Sequence, residues 1–250
     1  MPELIVYLEP TKSTPLQQCL NNILEKVAPE YYLSTATKYP VHISVTGFFT
    51  VDTMADVDFI KDTYHNILTS KFPSGEHTPS TIFINSAPLL VSTPAQGVQH
   101  QQQEEEGEDR KSHALSSKHL LLPVEIPKEH HERLMKCAQI INNHYYNNGK
   151  GNMMIRSKRI DHISLAYWDE PNATEFETNQ WLQWSNGSQV GIMIQDIINR
   201  LKDLLDDDTD KYIATNLTAW DIVLYERTFK GTHIGERHRF KEIARWIATI

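Results

Sequence analysis

Cysteine is scarce in this sequence, since the chain of 250 residues contains only Cys19 and Cys137. Two cysteines are too few for a disulfide scaffold and lack metal-site spacing, so we expect a reducing compartment, the cytoplasm or the nucleus. Residues 1–13 have no basic segment and only a short apolar one, so no signal peptide is predicted. No apolar run approaches the roughly 18 residues of a spanning helix, and we expect no membrane association.

An excess of positive charge is also missing. The formal net charge is −8 at pH 7, which argues against a broad basic surface that would bind duplex DNA. A small phosphate-bearing ligand in a local pocket is still compatible with this charge. With 40% apolar and 22% charged residues, the composition is that of an ordinary soluble globular protein, which we expect to be a monomer.

Hydrophobic periodicity predicts a mixture of strands and helices. Alternating or continuous apolar residues predict strands at 4–8, 41–49, 81–91, 119–126, 160–168 and 220–225, and helical spacing predicts helices at 14–27, 56–69, 128–146 and 190–205. The last segment, 240–249, is predicted to return as the second strand of a hairpin, with a short C-terminal helix as the weaker alternative.

Residues 92–117 differ from the rest of the chain because they are polar, rich in Gln and then acidic. Such a segment cannot bury enough apolar surface to order itself, and we predict a flexible linker. Strand–helix–strand patterns occur on both sides of it. We therefore predict one domain of two similar lobes, about 1–91 and 118–250, with a helical insertion at about 170–210.

Two of the twelve histidines share a sequence pattern. Only at residues 42–45 (HISV) and 162–165 (HISL) is a His followed by an apolar residue, a small hydroxyl residue and another apolar residue. Both segments lie in predicted strands, where side chains alternate between the two faces. Each strand therefore presents an imidazole and a hydroxyl on one face. Two such strands side by side would line one groove with two His and two Ser.

This set of side chains suits phosphoryl chemistry. A neutral His accepts a proton from an attacking water or hydroxyl, and a protonated His donates one to the leaving oxygen. Histidine is the side chain whose ordinary pKa allows both roles near neutral pH. Serine hydroxyls donate hydrogen bonds to the phosphate oxygens on which charge develops in the transition state. The set supplies acid, base and phosphate contacts, so we expect neither a metal nor a cofactor.

The two motifs resemble the paired motifs of the two-histidine (2H) phosphoesterase superfamily. That superfamily includes LigT-like RNA cyclic phosphodiesterases, cyclic nucleotide phosphodiesterases, 2′,5′-phosphodiesterases and exonucleases that trim spliceosomal RNA. The resemblance covers about 1–91, 118–168 and 218–250 of this chain. It implies an α+β fold of two pseudo-symmetric lobes, each an antiparallel-rich sheet with helices outside, which face a central groove.

The resemblance also implies roles for four residues. His42 and His162 would be the catalytic pair, and Ser44 and Ser164 would bind the phosphate of the substrate. In the superfamily the second-motif His often serves as the base toward water and the first as the acid toward the leaving 2′-oxygen. These roles exchange when the reaction runs in the other direction.

From motif and resemblance we expect a phosphodiesterase that hydrolyses 2′,3′-cyclic phosphates of RNA ends or nucleotides without a metal. Two alternatives stay open. One is an RNA phosphodiesterase or exonuclease that acts on 2′,5′ linkages or on 3′ ends. The other is a binding module that holds a nucleotide in the same groove without converting it.

Five further residues are candidate substrate contacts. Thr46 would add a third hydroxyl beside the phosphate, with a hydroxyl satisfied inside the protein as an equal alternative. Phe48, Tyr167 and Trp168 could stack on a base, although core packing is favoured for each. Arg159, in the basic segment 156–159, could hold a flanking phosphate or mark a solvated strand end.

Three other features are given no catalytic role. The segment Glu129-His130-His131-Glu132 lacks the i, i+4 His spacing of a helical zinc site, so a charged helix start is predicted there. His233 and Tyr225 are weak candidates for reaching the groove. Both cysteines fall on or near apolar helix faces and are predicted to be buried thiols.

Overall fold

The computed structural model describes residues 1–70, 81–93, 117–150, 154–204, 212–216 and 219–248. The strands are β1 (Glu3–Pro10), β2 (Ile43–Ser44), β3 (Phe49–Thr50), β4 (Thr81–Asn85), β5 (Leu89–Thr93), β6 (Ser117–Glu125), β7 (His162–Ala166), β8 (Tyr212–Asn216), β9 (Trp220–Phe229) and β10 (Arg239–Ile247). The α-helices are α1 (Pro15–Asn22), α2 (Ala28–Tyr31), α3 (Met54–Thr69), α4 (Lys128–Asn147), α5 (Glu175–Asn186) and α6 (Gln189–Leu201).

Within the described residues, the strands form one antiparallel sheet of ten strands in a mixed α/β fold. Its order is β10-β9-β1-β2-β7-β6-β4-β8, while β3 pairs with β1 and β5 pairs with β6. The two strands that carry the His–Ser motifs, β2 and β7, are therefore neighbours in the middle of the sheet. Ile43 lies opposite Ile163 in this pairing.

The two faces of the sheet have different surroundings. On β1, Leu4, Val6 and Leu8 belong to the main apolar core, whereas Ile5 and Tyr7 belong to a smaller cluster on the other face. The core face packs against the helices, which contribute the fully buried side chains of Leu20, Ile60, Ile141, Trp181 and Ile197. Because Ile43 and Ile163 are in the same core, the residues that flank them in sequence point to the opposite face.

The first predicted helix extends beyond its expected end at Val27. A π-helical turn, Ile23–Val27, joins α1 to α2, which contains Pro29 near its start. Proline lacks the N–H that a regular helix would use at this point, and the wider turn accommodates its absence. Thr14 accepts a hydrogen bond from the Gln17 amide and begins α1 as a cap.

Two predicted strands are interrupted. The segment 41–49 is divided between β2 and β3, with an isolated antiparallel bridge from Thr46 to Ser157 between them. The interruption is a local bulge, in which the amides of Val45 and Thr46 both donate to the Val6 carbonyl, at 3.1 and 3.3 Å. The segment 81–91 is divided into β4 and β5 by a turn in which the Asn85 side chain accepts a hydrogen bond from the Ala87 amide.

The insertion contains more regular structure than predicted. Helix α5 precedes the predicted one, and a reciprocal capping box of Thr174 and Glu177 begins it. The predicted helix at 190–205 is α6 with a 3₁₀ turn, Lys202–Leu204, and residue 205 lies outside the described residues. Strand β8 was not predicted. The C-terminal hairpin is confirmed, since β10 is a strand, and the helical alternative is wrong.

Chain order and spatial order differ across the sheet. Strands β4 and β5 precede the predicted linker, yet they pair with β6, which follows it and neighbours β7. On the other side of the sheet, β9 pairs with β1 although the two strands are far apart in the chain. Each side of the β2–β7 pair therefore combines segments from both predicted lobes. Most of the predicted linker, 94–116, lies outside the described residues.

We predict that truncation at the β2–β7 contact lowers stability strongly. Ile163→Ala removes a fully buried side chain and should reduce the free energy of unfolding by roughly 2–5 kcal/mol. Ile192→Ala, the matched control on α6, changes a side chain that is 59% exposed and should cost less than about 1 kcal/mol. Urea denaturation followed by circular dichroism measures both, and equal losses would contradict the central position of Ile163.

Candidate active site

The pairing of β2 with β7 brings the two motifs together. Antiparallel pairing of Ile43 with Ile163 places His42 across from Ser164 and Ser44 across from His162. Side chains directly opposite each other have Cβ atoms about 4.5–5.5 Å apart, and diagonal neighbours such as the two His about 7–8 Å. All four side chains line one cavity of about 520 Å³. The groove predicted from the alternation therefore exists.

The hydrogen bonds of His42 determine which ring nitrogen carries the hydrogen. Nδ1 lies 2.7 Å from the Pro40 carbonyl oxygen, and Nε2 lies 3.1 Å from Ser44 Oγ. Because a carbonyl oxygen only accepts, Nδ1 of His42 must donate to it. The neutral ring then has a lone pair on Nε2, to which the Ser44 hydroxyl donates.

The surroundings of His42 favour the neutral ring. Tyr7 stacks on it with ring centroids 3.7 Å apart, and the Tyr39 ring lies 5.8 Å away. Burial lowers the pKa of His42 to about 4, against the opposing effect of the Pro40 hydrogen bond, and the nearby His162 lowers it further. His42 is therefore uncharged at neutral pH.

His162 has a different partner. Its Nδ1 donates to Oδ1 of the preceding Asp161 at 2.7 Å, and its side chain is 37% exposed. A carboxylate in this position orients the ring, leaves Nε2 facing away from the hydrogen bond and balances positive charge on the imidazole. Asp161 was not singled out in the sequence, although an acidic residue directly before the second His was visible there.

One end of the cavity is basic. Lys158 and Arg159 line it where the chain approaches β7, beside Thr46 and Gly47, which follow β2. The Lys158 amide donates to the Val45 carbonyl at 3.0 Å, which fixes this segment to the bulge after β2. The predicted contact Arg159 is thus at the cavity.

Thr46 has a structural role. Its side chain is fully buried, and Oγ1 accepts a hydrogen bond from the Val6 amide at 3.0 Å. The hydroxyl thereby satisfies a β1 amide that faces the bulge. Of the two interpretations of Thr46, the structure supports the satisfied hydroxyl over a third phosphate contact.

The three predicted aromatic contacts have different outcomes. Phe48 lines the cavity, with the Arg227 guanidinium carbon 3.8 Å from its ring centroid. Tyr167 also lines the cavity, although core packing was favoured for it, because β7 ends at Ala166 and the alternation of side chains between the two faces ends there. Trp168 does not line this cavity and packs against Tyr32 and Trp181, in agreement with the core packing that was favoured for it.

The end of the cavity opposite the basic residues was not predicted. Tyr39, His119 and Asp169 line it together with Tyr167. His119 comes from β6 and Asp169 from the segment after β7, so only the sheet order brings them together. No local sequence signal marks these residues.

The remaining candidates lie elsewhere. The Tyr225 hydroxyl donates to Glu9 Oε2 at 3.0 Å, and His233 lines a separate small pocket with Trp168. His130 is buried in α4, while Cys137 is buried and Cys19 is half-buried. Among the described residues, no group of three His, Cys, Asp or Glu side chains has the arrangement of a metal site.

In the described part of the chain, no helix is both long and apolar enough to cross a bilayer. Comparison of the whole chain with known proteins found no matching family model and no matching curated protein.

We predict that the His42 imidazole takes up its proton near pH 4, well below the ordinary value of about 6.5. NMR titration of the imidazole Hε1 signals measures this, with His42→Gln used to assign the resonance. The unfolded chain binds the proton first, so His42 should make the free energy of unfolding fall as the pH is lowered from about 6.5 toward 4. A midpoint near 6.5 for this signal would contradict the buried, neutral ring.

Proposed function

We propose that this protein is a phosphodiesterase that hydrolyses 2′,3′-cyclic phosphates of RNA ends or nucleotides to phosphomonoesters. The observation that carries the proposal is the single cavity lined by His42, Ser44, His162 and Ser164 from two adjacent strands. Two imidazoles at diagonal positions leave room for one phosphate between them. Side chains supply the acid, the base and the phosphate contacts, so the proposed reaction uses no metal.

Membership of the 2H phosphoesterase superfamily, with its two pseudo-symmetric lobes, is part of this proposal. Two observations support it. The antiparallel Ile43–Ile163 pair relates the motifs by an approximate local twofold axis, so each His faces the Ser of the other motif. On each side of this pair the sheet continues through further antiparallel strands, β1 and β9 on one side and β6 and β4 on the other.

The hydrogen bonds favour His42 as the base. Its ring is neutral at neutral pH, and Nε2 presents a lone pair toward the cavity. An attacking water that replaces the Ser44 hydroxyl at Nε2 would give its proton to this nitrogen. The resulting hydroxide oxygen forms the new bond to phosphorus.

His162 is then the acid. Its Nδ1 is held by Asp161, so Nε2 carries the proton that goes to the ribose oxygen as its bond to phosphorus breaks. The carboxylate of Asp161 balances the charge of the imidazolium before this transfer. This assignment is the reverse of the one that the resemblance implies for hydrolysis.

The hydroxyls of Ser44 and Ser164 differ in their hydrogen-bond partners before a ligand binds. Ser44 donates to His42 at 3.1 Å, whereas the Ser164 hydroxyl has no hydrogen-bond partner within the described ranges. Ser164 is thus free to donate to a phosphate oxygen, and Ser44 becomes free when water takes its place at His42. Both donors lie where the pentacoordinate phosphorus would gather negative charge.

A covalent route through Ser44 is the second candidate. Its hydroxyl already donates to the imidazole that would accept its proton, which is the geometry of an activated nucleophile. Ser44→Ala separates the two routes. Loss of a phosphate donor lowers the rate in part, whereas loss of a nucleophile reduces it to the level of the His42 variant.

We predict that hydrolysis of a 2′,3′-cyclic nucleotide proceeds in EDTA and falls roughly 10²–10⁴-fold in His42→Ala and in His162→Ala. His65→Ala, on the exposed surface of α3, is the matched control and should leave the rate unchanged. Tight nucleotide binding by the unmodified protein without product over hours would instead support the binding module. Products from 2′,5′- and 3′,5′-linked dinucleotides distinguish the other phosphodiesterase classes.

We further predict that Asp161→Asn lowers kcat/KM without moving its dependence on His42. In the unmodified protein kcat/KM should rise near pH 4 as His42 loses its proton. The variant keeps the shape of the side chain but removes the charge that faces His162, so kcat/KM should fall while the rise near pH 4 stays in place. An unchanged kcat/KM in Asp161→Asn would show that Asp161 does not act through His162.

A further inference from the structure

The cavity has two chemically different ends. Strand β7 runs from His162 to Ala166 and β2 runs in the opposite direction. The segment before β7, with Lys158 and Arg159, therefore lies beside the segment after β2. The segment after β7, with Asp169, lies beside the segment before β2, with Tyr39. The proposed phosphate position is between these ends.

Asp169 is held in place by a buried network. Its amide donates to Thr35 Oγ1 at 2.9 Å, and the Thr35 amide donates to the Tyr167 carbonyl at 2.9 Å. Thr35 Oγ1 in turn donates to Glu170, whose other oxygen accepts from Lys38 at 2.6 Å. Both side chains of that ion pair are only 3% exposed. The backbone at Asp169 is therefore fixed before any ligand binds.

The Asp169 carboxylate itself is exposed at the cavity and accepts no hydrogen bond from the described residues. A negative charge without a hydrogen-bond donor, in a cavity that receives a phosphate, repels that phosphate. It therefore weakens binding of any ligand that has no N–H or O–H group to donate to the carboxylate. A ligand that presents N–H donors at this end would reverse the effect. The sugar-linked base of a nucleotide is the part of the ligand that lies away from the phosphate.

We propose that Asp169 selects the base of the substrate and favours guanine, an inference that rests on the proposed nucleotide phosphodiesterase function. Guanine presents two adjacent N–H groups on its Watson–Crick edge, which match the two oxygens of one carboxylate. Adenine and cytosine present one amino group beside an acceptor. Uracil presents one N–H between two carbonyl oxygens, which the carboxylate repels.

His119 is the second polar group at this end. Its ring lies 5.6 Å from that of Tyr167 and lines the same cavity. Burial lowers the pKa of His119, with Asp169 opposing this effect and His162 adding to it. The one N–H of a neutral imidazole can donate to a carbonyl or ring-nitrogen acceptor of guanine.

The experiment compares kcat/KM for the 2′,3′-cyclic phosphates of guanosine, adenosine, cytidine and uridine. The unmodified protein should prefer guanosine over uridine by roughly tenfold or more, the range of a paired base contact. Asp169→Asn should lower the value for guanosine by a similar factor and leave or raise that for uridine. Asp62→Asn, the same charge change on the exposed surface of α3, should leave the preference unchanged.

Binding of guanosine and uridine 3′-monophosphates, measured by calorimetry, separates this inference from the proposed catalysis. A preference for guanosine that Asp169→Asn abolishes supports the base site even if no cyclic phosphate is hydrolysed. Hydrolysis of all four substrates at equal kcat/KM overturns the base site and leaves the phosphodiesterase standing. An equal loss for all four in Asp169→Asn also overturns it, because a positioning role alone predicts that result.

Discussion

The backbone pairing of β2 with β7 is the constraint on which the site depends. In this register Ile43 and Ile163 enter the core, and the His and Ser residues on either side of them face the cavity. A slip of one residue would reverse every side chain, burying imidazoles in the core and exposing isoleucines in the groove. The free-energy cost of that exchange keeps the very short strand β2 in one register with β7.

The two imidazoles are equivalent in sequence but not in surroundings. His42 is stacked on Tyr7 and donates to a backbone carbonyl, whereas His162 is half-exposed and donates to a carboxylate. The carbonyl belongs to Pro40, which cannot continue a ladder of backbone hydrogen bonds, and the carboxylate belongs to the adjacent residue. The two imidazoles therefore differ in how readily they hold a positive charge, because the local chain geometry gives one a backbone carbonyl as partner and the other a carboxylate.

The features that depend on local periodicity could be predicted from the sequence. The His and Ser side chains were placed on one face because alternation holds within a strand, and most helices were predicted from their apolar spacing. At Thr46 and Trp168 the sequence left a structural role open beside a substrate contact, and the structure supports the structural role. At Tyr167 core packing was favoured, whereas the side chain lines the cavity because β7 ends at Ala166. Asp169 and His119 were missed because only the strand order brings β6 to the site.

The position of β9 has a consequence for synthesis of the chain. β1 is synthesised well before its neighbour β9, which lies more than 200 residues later, at Trp220–Phe229. Until β9 is made, one edge of β1 is an open row of backbone donors and acceptors, flanked by apolar side chains. A nascent chain that stalls before β9 is therefore exposed to edge-to-edge association through β1.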